Sequence, residues 1–103
     1  FILRYQVLID FPTKELRNIV DMGKKDIKEG VLIVFSIFEN KVGVAIGITD
    51  KLTQNYDASK LVKEVAIVLG GKGGGGRKDF AQAGGADKNK ITESYNKIIE
   101  KIK

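Results

Sequence analysis

The 103-residue chain contains no cysteine and no histidine, and its single proline, Pro12, stands beside twelve glycines. Without thiols or imidazoles there are no disulfides, no thiolate nucleophile, none of the usual zinc ligands and no side chain that ordinarily titrates near neutrality. Those absences remove most self-contained catalytic sites, so neither catalytic residues nor a metal site are expected. No apolar run approaches the roughly 18 residues of a membrane span, and no membrane partner is expected. The run from Phe1 to Ile9 carries Arg4 and Gln6, which does not suit a signal peptide, and a start without methionine reads as a cut from a longer polypeptide. Lack of cysteine fits a reducing compartment, so the expected setting is cytoplasmic. At this length a single domain, residues 1–103, is expected.

What is present is ordinary globular material, 43% hydrophobic and 30% charged, with a net charge of +5. The charge is unevenly spread. Residues 1–59 hold eight Lys/Arg and eight Asp/Glu, while residues 60–103 hold ten and five, so all of the excess falls in the later part. That part is where an anionic partner is sought, against the alternative of a basic face kept for solubility.

Leu3, Tyr5, Val7 and Ile9 alternate with Ile2, Arg4, Gln6 and Leu8, a period near two that predicts a strand closed by Asp10-Phe11-Pro12. Leu16, Ile19, Val20 and Ile27 then recur at helical spacing, with Thr13 as the expected N-cap and Gly30 as the stop. Val31 to Phe38 is almost wholly apolar, as in a central strand covered on both faces and reached by a right-handed parallel crossover. After the turn Glu39-Asn40-Lys41, Val42, Val44, Ile46 and Ile48 alternate with Gly43, Ala45 and Gly47, which predicts an antiparallel hairpin whose second strand is nearly bare on one face. Small residues there admit a helix or another backbone, in preference to a ligand cradle. Asp57 or Ser59 is expected to cap a helix that buries Leu61, Val62, Val65, Ala66 and Leu69. Asp79 to Ala83 suits a fourth strand, and Thr92 is the expected cap of a last helix with Tyr95, Ile98, Ile99 and Ile102 on one face. The order β-α-β-β-α, glycine loop, β-α implies an α/β (α+β) fold on one mixed sheet of about four strands with packed helices.

Eight of the twelve glycines fall within residues 70–85, GGKGGGGRKDFAQAGG. Each glycine loses more chain entropy on folding than any other residue, so the segment needs a compensating use. A plain flexible linker has no need of Asp79-Phe80-Ala81-Gln82 and a second glycine pair. Close backbone approach to an oxyanion is the functional alternative, with amides as donors and Lys72, Arg77 and Lys78 as charges. Gly71, Gly73 and Gly76 satisfy GxGxxG, but a helix and not a strand is expected before them, so the dinucleotide fingerprint does not apply. Gly76 is followed by Arg77-Lys78, which lacks the hydroxyl of a P-loop.

At these residues the chain resembles the alanyl-tRNA synthetases, in the C-terminal domain they share with DHH-type phosphoesterases. Their signature typically reads GGKGGGRPDMAQAGG. Arg77, Asp79, Ala81, Gln82, Ala83, Gly84 and Gly85 match it, the glycine block is one residue longer here, Lys78 stands at the usual proline and Phe80 at the usual methionine. Leu16-Arg17, the apolar hairpin from Val31 to Ile48 and Leu61-Val62-Lys63-Glu64 follow the same layout, so the resemblance spans the chain. It implies a tRNA-binding end of an alanine–tRNA ligase that meets the outer corner of tRNA-Ala, helps couple aminoacylation to editing by other domains, and can contribute to a homodimer. ATP, magnesium and zinc are then expected only in those other domains, and this fragment is expected to hold no cofactor.

The expected RNA-contacting residues are Gly71, Lys72, Gly73, Gly74, Gly75, Gly76, Arg77, Lys78 and Gln82. Arg77 ranks first because its planar fork grips phosphate bidentately. Asp79 reads as a brace for the loop, through backbone N–H groups or Arg77. Tyr5 and Tyr56 are candidates for base stacking, whereas Tyr95 reads as core. Two other classes remain open: the substrate domain of a phosphoesterase, in which a histidine normally follows the glycines, and a dimerisation module without RNA contact.

Overall fold

Small and branched residues alternate along Lys41–Ile48, and that strand divides the molecule into two unequal layers. The computed structural model describes residues 2–71 and 73–102. Its strands are β1 (Ile2–Ile9), β2 (Gly30–Phe38), β3 (Lys41–Ile48), β4 (Gly74–Gly76) and β5 (Phe80–Gly85), and its helices are α1 (Leu16–Asp26), α2 (Ala58–Val68) and α3 (Ile91–Ile102). They form one mixed sheet in the order β1-β2-β3-β5-β4. β1 runs parallel to β2, and the other pairings are antiparallel. The sheet therefore has five strands where four are expected from the sequence. The additional one, β4, consists only of glycine, and no hydrophobic period could announce it.

The branched face of β3, Val42, Val44, Ile46 and Ile48, joins Val31, Ile33 and Phe35 of β2 beneath α2 and α3. From α2 this core takes Leu61, Val62, Val65 and Ala66, with Leu69 just beyond the helix, and from α3 it takes Ile91 and Ile98. Burying each such branched side chain contributes about 1.5–3 kcal/mol. The opposite core is smaller: Leu16 and Val20 of α1 meet Val34, Ala45 and Phe80. Here α1 rests almost on the backbone of β3. A Cβ built on Gly47 would lie 2.3 Å from Val20 Cγ1, and one on Gly43 would lie 2.5 Å from Thr13 Cγ2. The bare stripe is thus a seat for α1, as its composition suggests.

Two expected caps are displaced. Thr13 does not cap α1; its hydroxyl lies 3.5 Å from that of buried Ser36, facing the sheet and not the helix end. Thr92 lies inside α3, and Asp87 instead accepts from the Asn89 amide at 3.0 Å in the turn that leads into it. Asp57 does cap α2, accepting from the Ser59 amide at 2.9 Å and the Ser59 hydroxyl at 2.6 Å. Gly30 opens β2 and does not end α1, which stops at Asp26.

Substituting Gly47 by valine forces a branched side chain into space already held by Val20. Overpacking of this kind costs about 1–3 kcal/mol, so Gly47→Val is expected to lower the midpoint of thermal unfolding followed by circular dichroism. An unchanged midpoint would show that α1 is not seated on β3.

Candidate nucleic-acid interface

The glycine segment works first as architecture. β4 pairs with β5 through Gly74 opposite Ala83, Gly75 opposite Gln82 and Gly76 opposite Ala81. A Cβ on Gly71 would fall 2.0 Å from the Gly84 carbonyl oxygen, and one on Gly85 would fall 2.6 Å from that of Leu69, so both positions are backbone against backbone. Gly74 and Gly76 are equally closed, by Ala83 and by the Phe80 carbonyl. Gly75 differs, because a Cβ there meets nothing within 4 Å. Only part of the segment is therefore open to a ligand.

The hairpin between β4 and β5 turns through Lys78 and Asp79, and three elements hold that turn. The Ile48 amide donates to the Asp79 carbonyl at 2.9 Å, the Ala58 amide to the Lys78 carbonyl at 3.0 Å, and the Lys24 ammonium to the Asp79 carbonyl at 3.1 Å. The Arg77 amide closes the hairpin on the Phe80 carbonyl at 2.7 Å. In an antiparallel ladder bonded and non-bonded pairs alternate. With Arg77 and Phe80 bonded, Gly75 is bonded to Gln82, and the Gly74 and Gly76 amides point to the open edge of the sheet.

Beside this edge lies an open groove of about 410 Å³ lined by Lys14, Arg17, Gly75, Gly76, Arg77, Phe80 and Gln82. Arg17 lies over Phe80 there, its guanidinium carbon 4.9 Å from the centroid of the ring. Its Nε is also 3.9 Å from Asp21 on the same helix. Arg77 Nε donates to Asp79 Oδ1 at 3.1 Å, the brace expected from the sequence. With 65% of its side chain exposed, Arg77 lines the groove and is bonded to Asp79 through Nε, not through its terminal nitrogens. The groove thus combines three cations, two carboxylates on its flanks, an amide side chain, the empty side-chain direction of Gly75 and the edge-facing amide of Gly76. That set suits a sugar-phosphate chain, since phosphate contacts position a nucleic acid without reading its bases.

Of the residues singled out in the sequence, the structure brings Gly75, Gly76, Arg77 and Gln82 into one groove. Gly73 and Gly74 lie in a neighbouring hollow that Gln82 also borders. Lys78 departs from the expected cluster: it lines a separate cavity on the α2 side of the sheet, with Lys60 and Lys101. Gly71 is packed against Gly84, and Lys72 lies outside the described residues. Sequence reasoning missed Lys14, Arg17 and Lys24, which come from the charge-balanced half of the chain. The bare face of β3 was the available signal, because it brings α1 over the sheet. The tyrosines serve packing: Tyr5 meets Tyr95 edge-on at 3.9 Å, and the Tyr56 hydroxyl donates to the Ile102 carbonyl at 2.8 Å. Among the described residues no cluster of acids could hold a metal, and no helix is long and apolar enough to cross a membrane.

Burial raises the tendency of the Asp79 carboxyl to keep its proton, but the Arg77 hydrogen bond and the Lys24 and Arg77 charges outweigh it, so its pKa falls below the ordinary 3.8. A depressed carboxylate contributes stability above its unfolded pKa and loses it as pH falls through the folded value. Below about pH 4 the chain is therefore expected to lose stability, and Asp79→Asn to flatten that acid limb in thermal melts. An acid limb of unchanged slope in the variant would refute the brace.

Residues 3–103 match the DHHA1 domain family. The alanine–tRNA ligase of Hyphomonas neptunium is 46% identical over 90 residues, covering 87% of this chain and 10% of that protein. That of Parvibaculum lavamentivorans is 49% identical over 86 residues, covering 82% and 10%. The chain thus spans about a tenth of the length of these relatives. The crystal structure of the C-Ala domain from Aquifex aeolicus alanyl-tRNA synthetase superimposes with a TM-score of 0.91 at 35% identity, covering 98% of this chain and 90% of that one. A match along nearly the whole chain in both sequence and fold leads to one assignment: the chain belongs to the DHHA1 domain family and is homologous to the C-terminal domain of alanine–tRNA ligase.

Proposed function

We propose that this domain binds tRNA through the groove between α1 and the β4–β5 hairpin, holding the outer corner of tRNA-Ala for the other domains of an alanine–tRNA ligase. The observation that carries the reading is the convergence of Lys14, Arg17 and Arg77 on one groove floored by Gly75, whose side-chain direction is empty, and by Gly76, whose amide faces the open edge. Arg17 is already ordered by Phe80 and Arg77 by Asp79, so neither loses much side-chain freedom when a phosphate arrives. Gln82 borders the groove and can hydrogen-bond a ribose hydroxyl or a base edge, while shape and phosphate set the affinity. Aminoacylation and editing, with the ATP and metal ions they use, belong to the rest of such a ligase, and this domain couples them by keeping one tRNA in place. That role belongs to the cytoplasm.

Three phosphate contacts imply a slope of roughly −2 to −3 for log affinity against log salt concentration. Titrating a tRNA-Ala transcript over a range of salt is expected to give that slope, and Arg17→Ala or Arg77→Ala to reduce its magnitude by nearly one unit. Salt-independent binding, or no binding at all, would overturn the reading. Gly75→Ala tests the backbone approach separately. Its methyl group enters open space, so the unfolding midpoint should stay at the wild-type value while tRNA affinity drops. Full affinity in that variant would place the RNA away from β4.

A further inference from the structure

Arg77 is exposed and stands at the edge of a two-residue turn, yet its guanidinium has one defined anchor. That anchor is itself tied to α1. Asp79 Oδ1 accepts from Arg77 Nε at 3.1 Å, while Asp79 Oδ2 lies 3.7 Å from the Lys24 ammonium. The same ammonium donates to the Asp79 carbonyl at 3.1 Å, so Lys24 grips both the backbone and the carboxylate of one residue. Its side chain is only 19% exposed, against 65% for Arg77. Lys24 reaches this position because its stem crosses β3 over Gly47: a Cβ there would lie 3.1 Å from Lys24 Cδ and 3.6 Å from Cγ. Gly47 is the register partner of Phe80, the residue after Asp79. A glycine at that point of β3 is therefore what lets a lysine of α1 meet the start of β5.

We infer that Lys24, carried over Gly47 and acting through Asp79, is a positioning residue that presents Arg77 to RNA. The inference rests on the proposed tRNA-binding role of the groove. Lys24 itself does not line that groove. Held side-on through Nε, Arg77 leaves its two terminal nitrogens for a phosphate, and the carboxylate that holds it is kept in place by a second cation. Without Lys24 the Asp79 carboxylate loses its second cation, and the Arg77 side chain regains the rotamers that binding must then remove.

A double-mutant cycle with the tRNA-Ala transcript, read together with nitrogen-15 NMR of the Arg77 Nε–H group, tests this. Lys24→Met keeps the stem over Gly47 and removes the charge. It is expected to weaken binding about three- to tenfold in the otherwise wild-type chain, in the lower part of the range of coupling within one ion-pair network, and to have no effect when Arg77→Ala is already present. Lys24→Arg should restore affinity. In the free protein the Arg77 Nε–H signal should be slow to exchange in wild type and fast in both Lys24→Met and Asp79→Asn, the latter serving if Lys24→Met fails to fold. Equal losses of affinity in both backgrounds would mean that Lys24 contributes only bulk charge, and a protected Arg77 signal in the variants would show that Arg77 needs no such support; either result overturns the inference. A wild-type chain that binds no tRNA overturns the proposed function, while the NMR measurement still decides whether Lys24 holds Arg77.

Discussion

Everything at the candidate interface depends on how closely α1 can approach β3. Gly43, Ala45 and Gly47 leave that face of the strand without bulk, so α1 sits on backbone and places Val20 where a side chain of β3 would otherwise stand. Leu16 and Val20 are consequently buried completely, although the layer beneath them holds few residues. The same closeness lets Lys24 cross the strand and sets Arg17 over Phe80. A bulkier β3 would raise the helix and separate its cations from the hairpin.

The glycine block serves two physical ends in alternation. Gly71, Gly74, Gly76 and Gly85 are required by contact with neighbouring backbone, which seats β4 on β5 and ties the end of α2 to the far end of β5. Gly75 is not required in that way, since its side-chain direction is empty. The chain-entropy cost of so much glycine is thus offset mainly by an additional strand, and only a small open stretch remains for a ligand. An edge strand without side chains is also one along which a nucleic-acid backbone can run without steric obstruction.

Charge placement follows from the sheet and not from the order of residues. Arg77 and Lys78 are adjacent in sequence yet serve opposite faces of the sheet, Arg77 beside Lys14 and Arg17, Lys78 beside Lys60 and Lys101. Asp79 stands among cations without cancelling the site, because it spends its two carboxylate oxygens on Arg77 and Lys24 and so orders one cation with another. Exposed ion pairs contribute little to stability, about 0–1 kcal/mol each, so the value of this partly buried pair lies more in geometry than in holding the fold.

The amino-acid sequence by itself determined the layered fold, the bare face of β3 and the importance of residues 70–85, because alternation, helical spacing and a dense glycine block are local patterns that survive without a structure. The brace between Arg77 and Asp79 was legible for the same reason, two residues being too close to miss. Tertiary structure alone decided that β4 exists, that Thr13 faces Ser36, that Lys78 leaves the cluster, that Lys14 and Arg17 join it and that Lys24 reaches Asp79 behind it. Those outcomes depend on which backbone faces meet across distances of tens of residues, and a charge count along the chain contains no information about the path by which a helix folds back over a strand.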